Sequence, residues 1–573
     1  MRGMRRLLGA LAGLMLAAPA AADPFCPEGD AAFPPFFHEP GRIGTSLEDA
    51  RAIAPWPAPV SGVILPHHLE AAHLMAGGLQ QASAGQGHDR VILLFPDHFG
   101  SLNTPFATTA RPVETVMGPV PALPDAAAAL MRTGGGLVED SCLFSYDHGL
   151  RAVLPFVAAL MPGVPVLPVA ISINSRPDHW EALTAALEPL VTPGTLIVQS
   201  TDFSHYLPHH LARVHDQQVL NLLAARDMEQ IAQLVQPDHL DSLGALMVNM
   251  MLQERVFGAA PVVVASENMQ EYLGPPVAET TSYIIAHFTP PHAPAGPPLH
   301  PEARVYMLAG DTFFGRVLPP LLADDLVSDR VIAAAREVTR GLPLVVNLEG
   351  VILPEVPGNL PELVLGMPRD LTLDWLARLG VAGGGLANNH ANDMGAAGLA
   401  ETRSALAAAG LPHAAQGERL DLPGVAIVAL SDLDNRESPP RGQLSDALLD
   451  RLLVEDARLP VVAFVHWGLE YEPEPTPRER ALAEAMRARG VSAIIGAHPH
   501  VASAGIEALA GGDVAMAYSL GNFIFDQTDA VASGAVVELW AFPQGTIFLR
   551  QLPLPNMFEV ARRAQADIAR AAR

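Results

Sequence analysis

The sequence predicts an α/β protein of two domains. In both halves of the chain, short runs rich in valine, isoleucine and leucine alternate with alanine-rich segments of helical periodicity. This alternation is typical of α/β folds with largely buried strands. A proline-rich stretch, Thr289 to Arg304, lacks apolar periodicity and separates the halves. Since 573 residues are also too many for a single core, we expect two α/β domains joined by a semi-rigid linker.

The start of the chain has the order of a secretory signal peptide. Arginines precede an apolar run that ends in the small residues Ala20, Ala21 and Ala22. The apolar run is too short for a stable bilayer span, which favours cleavage and export to the periplasm or extracellular space over an uncleaved N-terminal anchor. The expected segments are a signal peptide (1–22), a lead segment (23–47), domain one (48–288), the linker (289–303), domain two (304–553) and a C-terminal helix (554–573).

Composition and charge exclude several classes of function. The net charge of −26 argues against nucleic acid or an anionic membrane as a partner. Every basic residue among the 35 is arginine, which excludes a P-loop lysine and Schiff-base chemistry. After the signal peptide no stretch reaches the roughly 20 apolar residues of a membrane span. Cys26 and Cys142 can form one disulfide in an oxidising compartment but no cysteine zinc or redox motif.

Five apolar runs of domain two end in side chains that bind divalent metals. Ligands of α/β sheets lie beyond the carboxyl ends of the strands, so these ends are expected at one rim. Carboxylate, amide and imidazole groups together suit Mn²⁺, Fe²⁺, Zn²⁺ or Mg²⁺. Each strand end alone also has a structural interpretation, as a helix cap, a turn or a core histidine. Because five strand ends in one domain carry such side chains, the sequence favours a metal site. The residues are Asp311, Asn347, Glu349, Asn388, Asn389, His390, Asp393, His466, His498 and His500.

The stretch AIIGAHPH, residues 493–500, provides the last two of these side chains. Residues two apart on an extended chain point to the same side, so we expect both imidazoles to face the site. Gly496 would permit a close backbone turn, and Pro499 would keep the two imidazoles extended.

Domain two resembles the CapA-type capsule or poly-γ-glutamate biosynthesis family, whose members share the calcineurin-like metallophosphatase fold. The motifs that carry the resemblance occur in the family's order and cover most of the domain. They are AGD (309–311), NLEG (347–350), NNHANDMG (388–395), HWGLEY (466–471), GAHPH (496–500) and YSLGNFIFD (518–526). The resemblance implies an αββα sandwich and a hydrolase that holds two divalent metal ions.

The same resemblance implies a role for each matching residue. His390 would act as general acid or as a donor to the substrate oxyanion, and Asp393 would orient it. Asn522 is assigned to loop formation. The family's fold usually offers a D-x-H motif where this chain reads Asp311, Thr312 and Phe313, so a site with one metal ion stays open. The implied metal ligands are Asp311, Glu349, Asn389, His466, His498 and His500.

Domain one carries a second set of histidines and aspartates after apolar runs. The motifs GVILPHHLEAAH, LLFPDHFG, FSYDHGLRAVLPF and IVQSTDFSHY resemble the Memo-like family, also called AmmeMemoRadiSam system protein B. This family is related in fold to class III extradiol dioxygenases. The resemblance implies a metal site of His67, His98 and His148 or His205.

Two departures from the Memo-like pattern favour an alternative for domain one. The usual Pro-His-Ala-Gly reads Pro-His-His-Leu at residues 66–69, and the cysteine expected in the segment DSLGAL is Leu243. The alternative is a degenerate site whose domain serves in binding or docking.

The leading hypothesis is an exported metal-dependent hydrolase that acts on a cell-envelope or extracellular polymer or on a phosphoester, in the context of envelope biosynthesis. One alternative is a non-catalytic assembly protein that binds an acidic polymer through metal. A third hypothesis places metal-dependent redox chemistry in domain one. The resemblance does not choose among them, because one fold supports many functions.

Overall fold

The computed structural model describes most of the chain after the predicted signal peptide, which lies outside the described residues. Two α/β units are present, as the sequence predicts. No helix in the described ranges is both long and apolar enough to cross a bilayer. The described residues are 26, 29, 31–291, 293–294, 296–299, 303–361, 363–436, 442–453, 459–509, 514–541 and 547–571.

The N-terminal domain is built on one nine-stranded sheet. Along the sheet the strand order is β10-β11-β1-β8-β2-β7-β3-β6, and β9 pairs with β11. Strands β1, β8, β2 and β7 are parallel neighbours at its centre, and a separate hairpin joins β4 to β5. The strands are β1 Gly62–Leu65, β2 Arg90–Asp97, β3 Phe106–Thr108, β4 Val113–Thr115, β5 Gly118–Val120, β6 Val138–Asp140, β7 Val166–Ser172, β8 Thr195–Ser200, β9 Phe203–Leu207, β10 Ala260–Asn268 and β11 Thr280–Thr289.

Helices pack against this sheet and complete one continuous apolar core. The central strands are buried along almost their whole length, which explains why their sequences are unbroken apolar runs. The helices are α1 Gly41–Ala50, α2 Ala72–Ser83, α3 Pro124–Thr133, α4 His148–Arg151, α5 Leu154–Leu160, α6 Pro177–Leu187, α7 His209–Ala225, α8 Met228–Ile231 and α9 Leu243–Leu252.

The C-terminal domain is a sandwich of two sheets. The first sheet has the order β17-β16-β13-β12-β25-β26, with β24 beside β12, and the second has the order β18-β19-β20-β21-β23-β22. A small parallel pair joins β14 to β15. The strands are β12 Arg304–Thr312, β13 Leu344–Leu348, β14 Val351–Leu353, β15 Gly366–Pro368, β16 Val381–Gly385, β17 His413–Ala414, β18 Arg419–Leu422, β19 Val425–Ser431, β20 Val461–His466, β21 Val491–Ala497, β22 Glu507–Ala508, β23 Ala515–Ala517, β24 Asn522–Ile524, β25 Gly534–Ala541 and β26 Ile547–Leu554.

Side-chain alternation along the strands creates the layers of this sandwich. Leu308 of β12 and Ile427 of β19 point into a core between the two sheets, whereas Met307 packs against the outer helices of the first sheet and Val428 against those of the second. The predicted αββα architecture is therefore confirmed. The helices are α10 Leu318–Leu322, α11 Asp325–Thr339, α12 Arg369–Leu379, α13 Gly395–Ala408, α14 Asp446–Leu452, α15 Pro477–Arg487 and α16 Met557–Ala571. Helix α16, the amphipathic C-terminal helix that the sequence predicts, packs on the outer face of the first sheet.

The two domains contact each other through helix α7 and the edge strand β26. Three side chains spaced four residues apart on α7 donate hydrogen bonds to backbone carbonyls of domain two. Arg213 bonds to Ile547 (3.1 Å), Gln217 to Leu549 (3.1 Å) and Asn221 to Ile506 (2.8 Å). The first two bonds pair carbonyls of the edge strand β26 in the first sheet, where a strand otherwise exposes them. The third reaches the residue just before β22, a strand of the second sheet.

Apolar contacts also cross the domain boundary. Trp540 and Phe548 face each other across β25 and β26 with ring centroids 5.4 Å apart, and both belong to the core of the N-terminal domain. In the linker, Leu299 is buried in that same core. Cys26 and Cys142 form a disulfide, which ties the lead segment to domain one.

A buried ion triad stabilises the first sheet of the C-terminal domain. The carboxylate of Glu538 is fully buried and pairs with the guanidinium groups of Arg340 and Arg550. Burial opposes ionisation of Glu538, but the two arginines outweigh burial and hold its pKa below the usual range. Loss of this carboxylate would leave two arginines without their buried partner.

We expect Glu538→Gln to lower the free energy of unfolding by about 3–5 kcal/mol, because breaking one partner of a buried ion pair leaves uncompensated charge. Urea denaturation followed by circular dichroism measures the change. The matched control is Glu507→Gln, whose partner Arg480 lies at the surface, and we expect it to cost less than about 1 kcal/mol. Equal destabilisation by the two substitutions would contradict a special role for the triad.

Candidate metal centres

The C-terminal centre lies at the rim where the two sheets of the sandwich meet. Asp311 is near the end of β12, Glu349 directly follows β13, and His466 is the last residue of β20. The loop after β16 brings Asn389 Oδ1 to 2.8 Å from His466 Nε2. The loop after β21 brings His498 to the same rim, where its backbone N–H donates to Asp311 Oδ2 (3.1 Å). All of these side chains are buried. The strand ends that the sequence singles out are thus brought together in space.

A row of paired residues fixes the geometry of this rim. Asn347 of β13 and Asn522 of β24 are the register partners of Asp311 on either side. The amide of Asn347 donates to Asp311 Oδ1 (2.7 Å), and its nitrogen lies 3.1 Å from His466 Nδ1. On the opposite side of the His466 ring, Nε2 lies 2.8 Å from Asn389 Oδ1. The imidazole of His466 is therefore held from both sides.

Two candidate metal-binding groups share one carboxylate. Glu349, His466 and His498 bring three ligand atoms within 4.8 Å of one another, and so do Asp311, Glu349 and His500. A carboxylate offers two oxygens, so Glu349 can bridge two cations that are otherwise held by different residues. This arrangement is the one expected of a two-metal site.

The buried acidic groups of this centre favour binding of a cation. Burial raises the pKa of Asp311, and burial together with the charges of Asp311 and Glu470 raises that of Glu349 well above its usual range. Oε2 of Glu349 is buried and has no hydrogen-bond partner among the described residues. Burial, with the neighbouring histidines, holds the pKa of His466 well below the usual range, so its imidazole is neutral and able to bind metal. The donor set therefore fits divalent metal.

His390 lies beside these groups as the sequence predicts. Its Nε2 is 3.7 Å from Glu349 Oε1, and its Nδ1 is 2.8 Å from Asp393 Oδ2. The same oxygen of Asp393 accepts a hydrogen bond from the backbone N–H of Leu365 (2.7 Å). Asp393 thus fixes the ring so that Nε2 faces the carboxylates.

The expectation of an extended chain at His498 and His500 is wrong. Strand β21 ends at Ala497, and both histidines have left-handed backbone conformations, with φ of 102° and 59°. The turn separates the two rings, whose centroids are 6.1 Å apart, and assigns each to a different metal-binding group. Gly496 does not form the predicted turn but permits a close approach of two backbone segments. It lies within β21, where a Cβ would approach the Tyr518 carbonyl oxygen to 1.7 Å.

Two asparagines make contacts at this rim that the sequence does not predict. Asn347, one of the strand-end residues of the predicted rim, contacts both Asp311 and His466. The sequence predicts a loop at Asn522, but this residue begins β24 and its Oδ1 lies 2.7 Å from His500 Nδ1. The motifs NLEG and SLGNFIFD contain both residues; what the sequence lacks is the register that sets them beside Asp311.

A second centre in the N-terminal domain surrounds Asp241. Oδ2 of Asp241 lies 2.9 Å from His67 Nε2, 3.6 Å from His98 Nε2 and 3.7 Å from His205 Nε2. Its Oδ1 is buried and has no hydrogen-bond partner among the described residues. Asp202 lies next to the cluster, with a carboxylate oxygen 3.6 Å from His67 Nε2. Three imidazoles and a carboxylate thus converge on one point.

His148 is stacked on His98, with ring centroids 3.8 Å apart, and forms a candidate ligand group with His67 and His98. Burial and the neighbouring His98 and His67 lower the pKa of His148 to about 4. His98 behaves in the opposite way. Burial opposes its protonation, but the hydrogen bonds that its ring donates to the carboxylates of Asp147 and Asp241 raise its pKa to about 10. For Asp241 itself burial is outweighed by the surrounding histidines, which hold its pKa well below the usual range.

The sequence does not predict a role for Asp241, because the resemblance in the segment DSLGAL concerns the cysteine position, which is Leu243 here. Leu243, where a cysteine is expected, is buried and begins helix α9. Asp241 lies two residues earlier, just before the helix cap Ser242. The aspartate of the segment DSLGAL is the sequence feature that indicates a fourth ligand beside His67, His98 and His205.

Comparison with known proteins divides the chain in the same way. Residues 305–430 and 448–527 match the family model "Bacterial capsule synthesis protein PGA_cap", and residues 45–276 match "Memo-like protein". Capsule biosynthesis protein CapA of Bacillus anthracis is 34% identical over 197 residues, which cover 30% of this chain and 46% of that protein. PGA biosynthesis protein CapA of Bacillus subtilis (strain 168) is 34% identical over 161 residues, which cover 25% and 42%. The chain spans less than half the length of these two relatives.

For the N-terminal half, MEMO1 family protein MK0963 of Methanopyrus kandleri is 26% identical over 186 residues, which cover 31% of this chain and 65% of that protein. Both resemblances that the sequence motifs indicate are thereby confirmed.

We expect Glu349→Gln to remove both metal ions from the C-terminal centre, because Glu349 belongs to both ligand groups. His500→Ala, which affects one group, is expected to remove about one ion. Inductively coupled plasma mass spectrometry of the purified full chain measures the content. Glu470→Gln is the matched control, since Glu470 is an exposed neighbour of Glu349. Loss of only one ion from Glu349→Gln would contradict a bridging role.

We expect Asp241→Asn to reduce metal content in the N-terminal centre, because it replaces the carboxylate shared by three imidazoles with a weaker, neutral ligand. The measurement is metal content in a Glu349→Gln background, where the C-terminal centre no longer contributes. Asp238→Asn, three positions earlier in the chain, is the control. Metal content that stays unchanged in Asp241→Asn would show that the cluster is not a metal site.

Proposed function

Because the chain joins a Memo-like domain to a capsule-synthesis domain of the CapA type, we propose that its C-terminal half is a metal-dependent hydrolase. Its substrate would be a cell-envelope or extracellular polymer, or a phosphoester of the envelope. The observation that carries the proposal is the carboxylate of Glu349, fully buried and shared between two metal-binding groups. A buried acid without a compensating charge is costly, so this geometry is best explained by bound cations.

The ions would be held by Asp311, Glu349, Asn389, His466, His498 and His500. Mn²⁺, Fe²⁺, Zn²⁺ and Mg²⁺ are all compatible with this donor set. When bound, two divalent ions would supply an activated water and stabilise the developing negative charge of an in-line displacement.

The chain's own contribution to the reaction centres on His390. Asp393 holds Nδ1 of the ring at 2.8 Å, which leaves Nε2 facing the reaction site. A histidine fixed in this way can deliver a proton to the leaving group or donate a hydrogen bond to the oxyanion. The N–H of Leu365 holds Asp393 in turn, so the backbone of the neighbouring segment sets the position of the acid.

Export to an oxidising compartment belongs to the same proposal. The disulfide between Cys26 and Cys142 supports it, since structural disulfides persist outside the reducing cytosol. The substrate would then be an envelope or extracellular acidic polymer or phosphoester, and partners would come from the envelope biosynthesis machinery.

For the N-terminal domain we propose a binding site for one divalent ion, formed by His67, His98, His205 and Asp241. His148 stacks on His98 and would complete or shield the site. The convergence of three imidazoles on the Asp241 carboxylate favours this proposal over a degenerate docking module.

The hydrolase proposal predicts Mn²⁺- or Fe²⁺-dependent cleavage of an aryl phosphate ester or of a γ-glutamyl amide. We expect Asp311→Ala and His498→Ala to abolish turnover together with metal binding. His390→Ala should keep the metal and lower kcat about 10²–10⁴-fold, because it removes a general acid. His210→Ala, at an exposed position of helix α7, is the control with wild-type activity.

Two outcomes of these assays would overturn the proposal. Unchanged turnover and metal content in Asp311→Ala and His498→Ala would remove the metal centre from the reaction. Bound metal without turnover of either substrate would instead favour a non-catalytic assembly protein that binds an acidic polymer through metal.

A further inference from the structure

One of the two ligand groups of the C-terminal centre has room for another donor. The group Asp311, Glu349 and His500 supplies three ligand atoms, of which one is a nitrogen. Divalent ions in proteins take roughly four to six ligands. Phe313, two residues beyond Asp311, adds no donor, because it is a phenylalanine fully buried in the apolar outer core. A further protein ligand at this position must therefore come from another strand.

Strand pairing sets Asn522 beside this position. In the parallel pair of β12 and β24, Asn522 is the register partner of Asp311, and the backbone N–H of Asp311 donates to the carbonyl oxygen of Gly521 (2.9 Å). A Cβ on Gly310 would lie 2.0 Å from that same oxygen, so glycine at position 310 permits the close approach of the two strands. The side chain of Asn522 is buried at the rim of the sandwich.

The amide of Asn522 is held in one orientation. Its Nδ2 donates to Oε1 of Gln527 (2.7 Å), and the backbone carbonyl oxygen of Gln527 accepts a hydrogen bond from Asn556 Nδ2 (2.9 Å). Because Gln527 occupies the nitrogen end of the amide, the oxygen end faces His500, with Oδ1 2.7 Å from Nδ1. An amide oxygen presented in this way is a ligand that hard divalent ions accept.

The spacing of the donor atoms suits a shared ion. Nδ1 of His500 lies 2.7 Å from Asn522 Oδ1 and 3.4 Å from Asp311 Oδ2. Two ligands at right angles on an ion with bonds of about 2.1 Å are about 3.0 Å apart, and the two observed distances lie on either side of this value. The ring of Phe525 packs 4.9 Å from that of His500, so an apolar neighbour, which offers no ligand, borders the imidazole there.

The other ligand group contains the same kind of pair. Oδ1 of Asn389 lies 2.8 Å from His466 Nε2, and Asn389 is already an expected ligand of that group. Each half of the centre thus has one asparagine oxygen directly beside one imidazole nitrogen. This correspondence supports the same role for both asparagines.

We infer that Asn522 is a ligand of the ion held by Asp311, Glu349 and His500, and that this position prefers a hard divalent ion such as Mg²⁺ or Mn²⁺. The inference rests on the proposed metal centre and extends it to the choice of ion at each position.

The preference follows from the donor atoms. With Asn522, this group offers three oxygens and one nitrogen, whereas the other group, with Asn389, offers two oxygens and two nitrogens. Carboxylate and carbonyl oxygens suit Mg²⁺ and Mn²⁺, and imidazole suits Zn²⁺ and Fe²⁺. The centre would therefore hold two ions of different hardness side by side, bridged by Glu349.

Metal competition in the full chain tests the inference. The parent chain carries Asp241→Asn to reduce binding at the N-terminal centre, is stripped with a chelator and is dialysed against equal concentrations of Mn²⁺ and Zn²⁺. Inductively coupled plasma mass spectrometry then counts both ions per chain. We expect Asn522→His to lower the ratio of bound Mn²⁺ to Zn²⁺ about tenfold or more, because an imidazole replaces an oxygen ligand.

The matched control is Asn556→Ala. It removes a hydrogen bond to Gln527, the residue that orients Asn522, without removing an expected ligand. We expect the ratio of the two ions to stay that of the parent chain. Circular dichroism checks that each variant is folded.

A second variant separates a ligand from a residue that only supports His500. Electron–nuclear double resonance of the Mn²⁺-loaded chain, labelled with [¹³Cγ]asparagine, detects carbons bonded to ligand oxygens. Asn522→Asp keeps an oxygen ligand, so we expect it to keep the Mn²⁺ but to lose one ¹³C coupling. If Asn522 only accepted a hydrogen bond from Nδ1 of His500, the parent chain and this variant would show the same couplings.

The outcomes separate this inference from the hydrolase proposal. An unchanged ratio of the ions in Asn522→His, an equal change in Asn556→Ala, or identical ¹³C couplings in the parent chain and Asn522→Asp would each overturn the inference. Selectivity that depends on Asn522 in a chain without turnover would support the ligand while contradicting the hydrolase. Metal-dependent turnover in a chain whose ion selectivity ignores Asn522 would do the reverse.

Discussion

The buried carboxylate of Glu349 is the constraint on which the C-terminal domain depends. Water cannot solvate it, and its neighbours Asp311 and Glu470 add negative charge, so burial and repulsion both raise its pKa. A protein that only needed a stable core would place an apolar side chain there. In this domain, five strand ends instead surround the group with amide, carboxylate and imidazole side chains. Cations bound among these side chains explain such an arrangement.

Much of this site could be predicted from the sequence because each ligand follows a strand. Buried strands read as apolar runs, and the polar residues that interrupt them are conspicuous, as at His466 and Glu349. The αββα sandwich also follows from the motifs, and its strands alternate between the inner and outer cores as such an architecture requires.

The features that escaped prediction are those set by register and backbone conformation. Asn347 and Asn522 matter because β13 and β24 set them beside Asp311, and strand register is not visible in either motif. Side chains two residues apart point to the same side only while the chain is extended. The left-handed turn at His498 and His500 therefore separates two imidazoles that the sequence predicts on one side. Asp241 is a different case: a carboxylate in the segment DSLGAL is visible in the sequence, but its position beside His67 and His98 is set by the fold.

The two centres differ in how they use charge, and this difference bears on their chemistry. At the C-terminal centre, carboxylates face one another, their pKa values are raised, and cations are needed to keep them ionised. At the N-terminal centre, where Asp202 also lies close to His67, the carboxylate of Asp241 faces imidazoles that stabilise its charge and lower its pKa. The pKa values of His98 and His205 are raised by the neighbouring aspartates against the opposing effect of burial, so binding of a cation there competes with protonation of these imidazoles. The proposed hydrolysis is assigned to the C-terminal centre because it needs a cation held against a developing negative charge, and the raised carboxylate pKa values favour cation binding there.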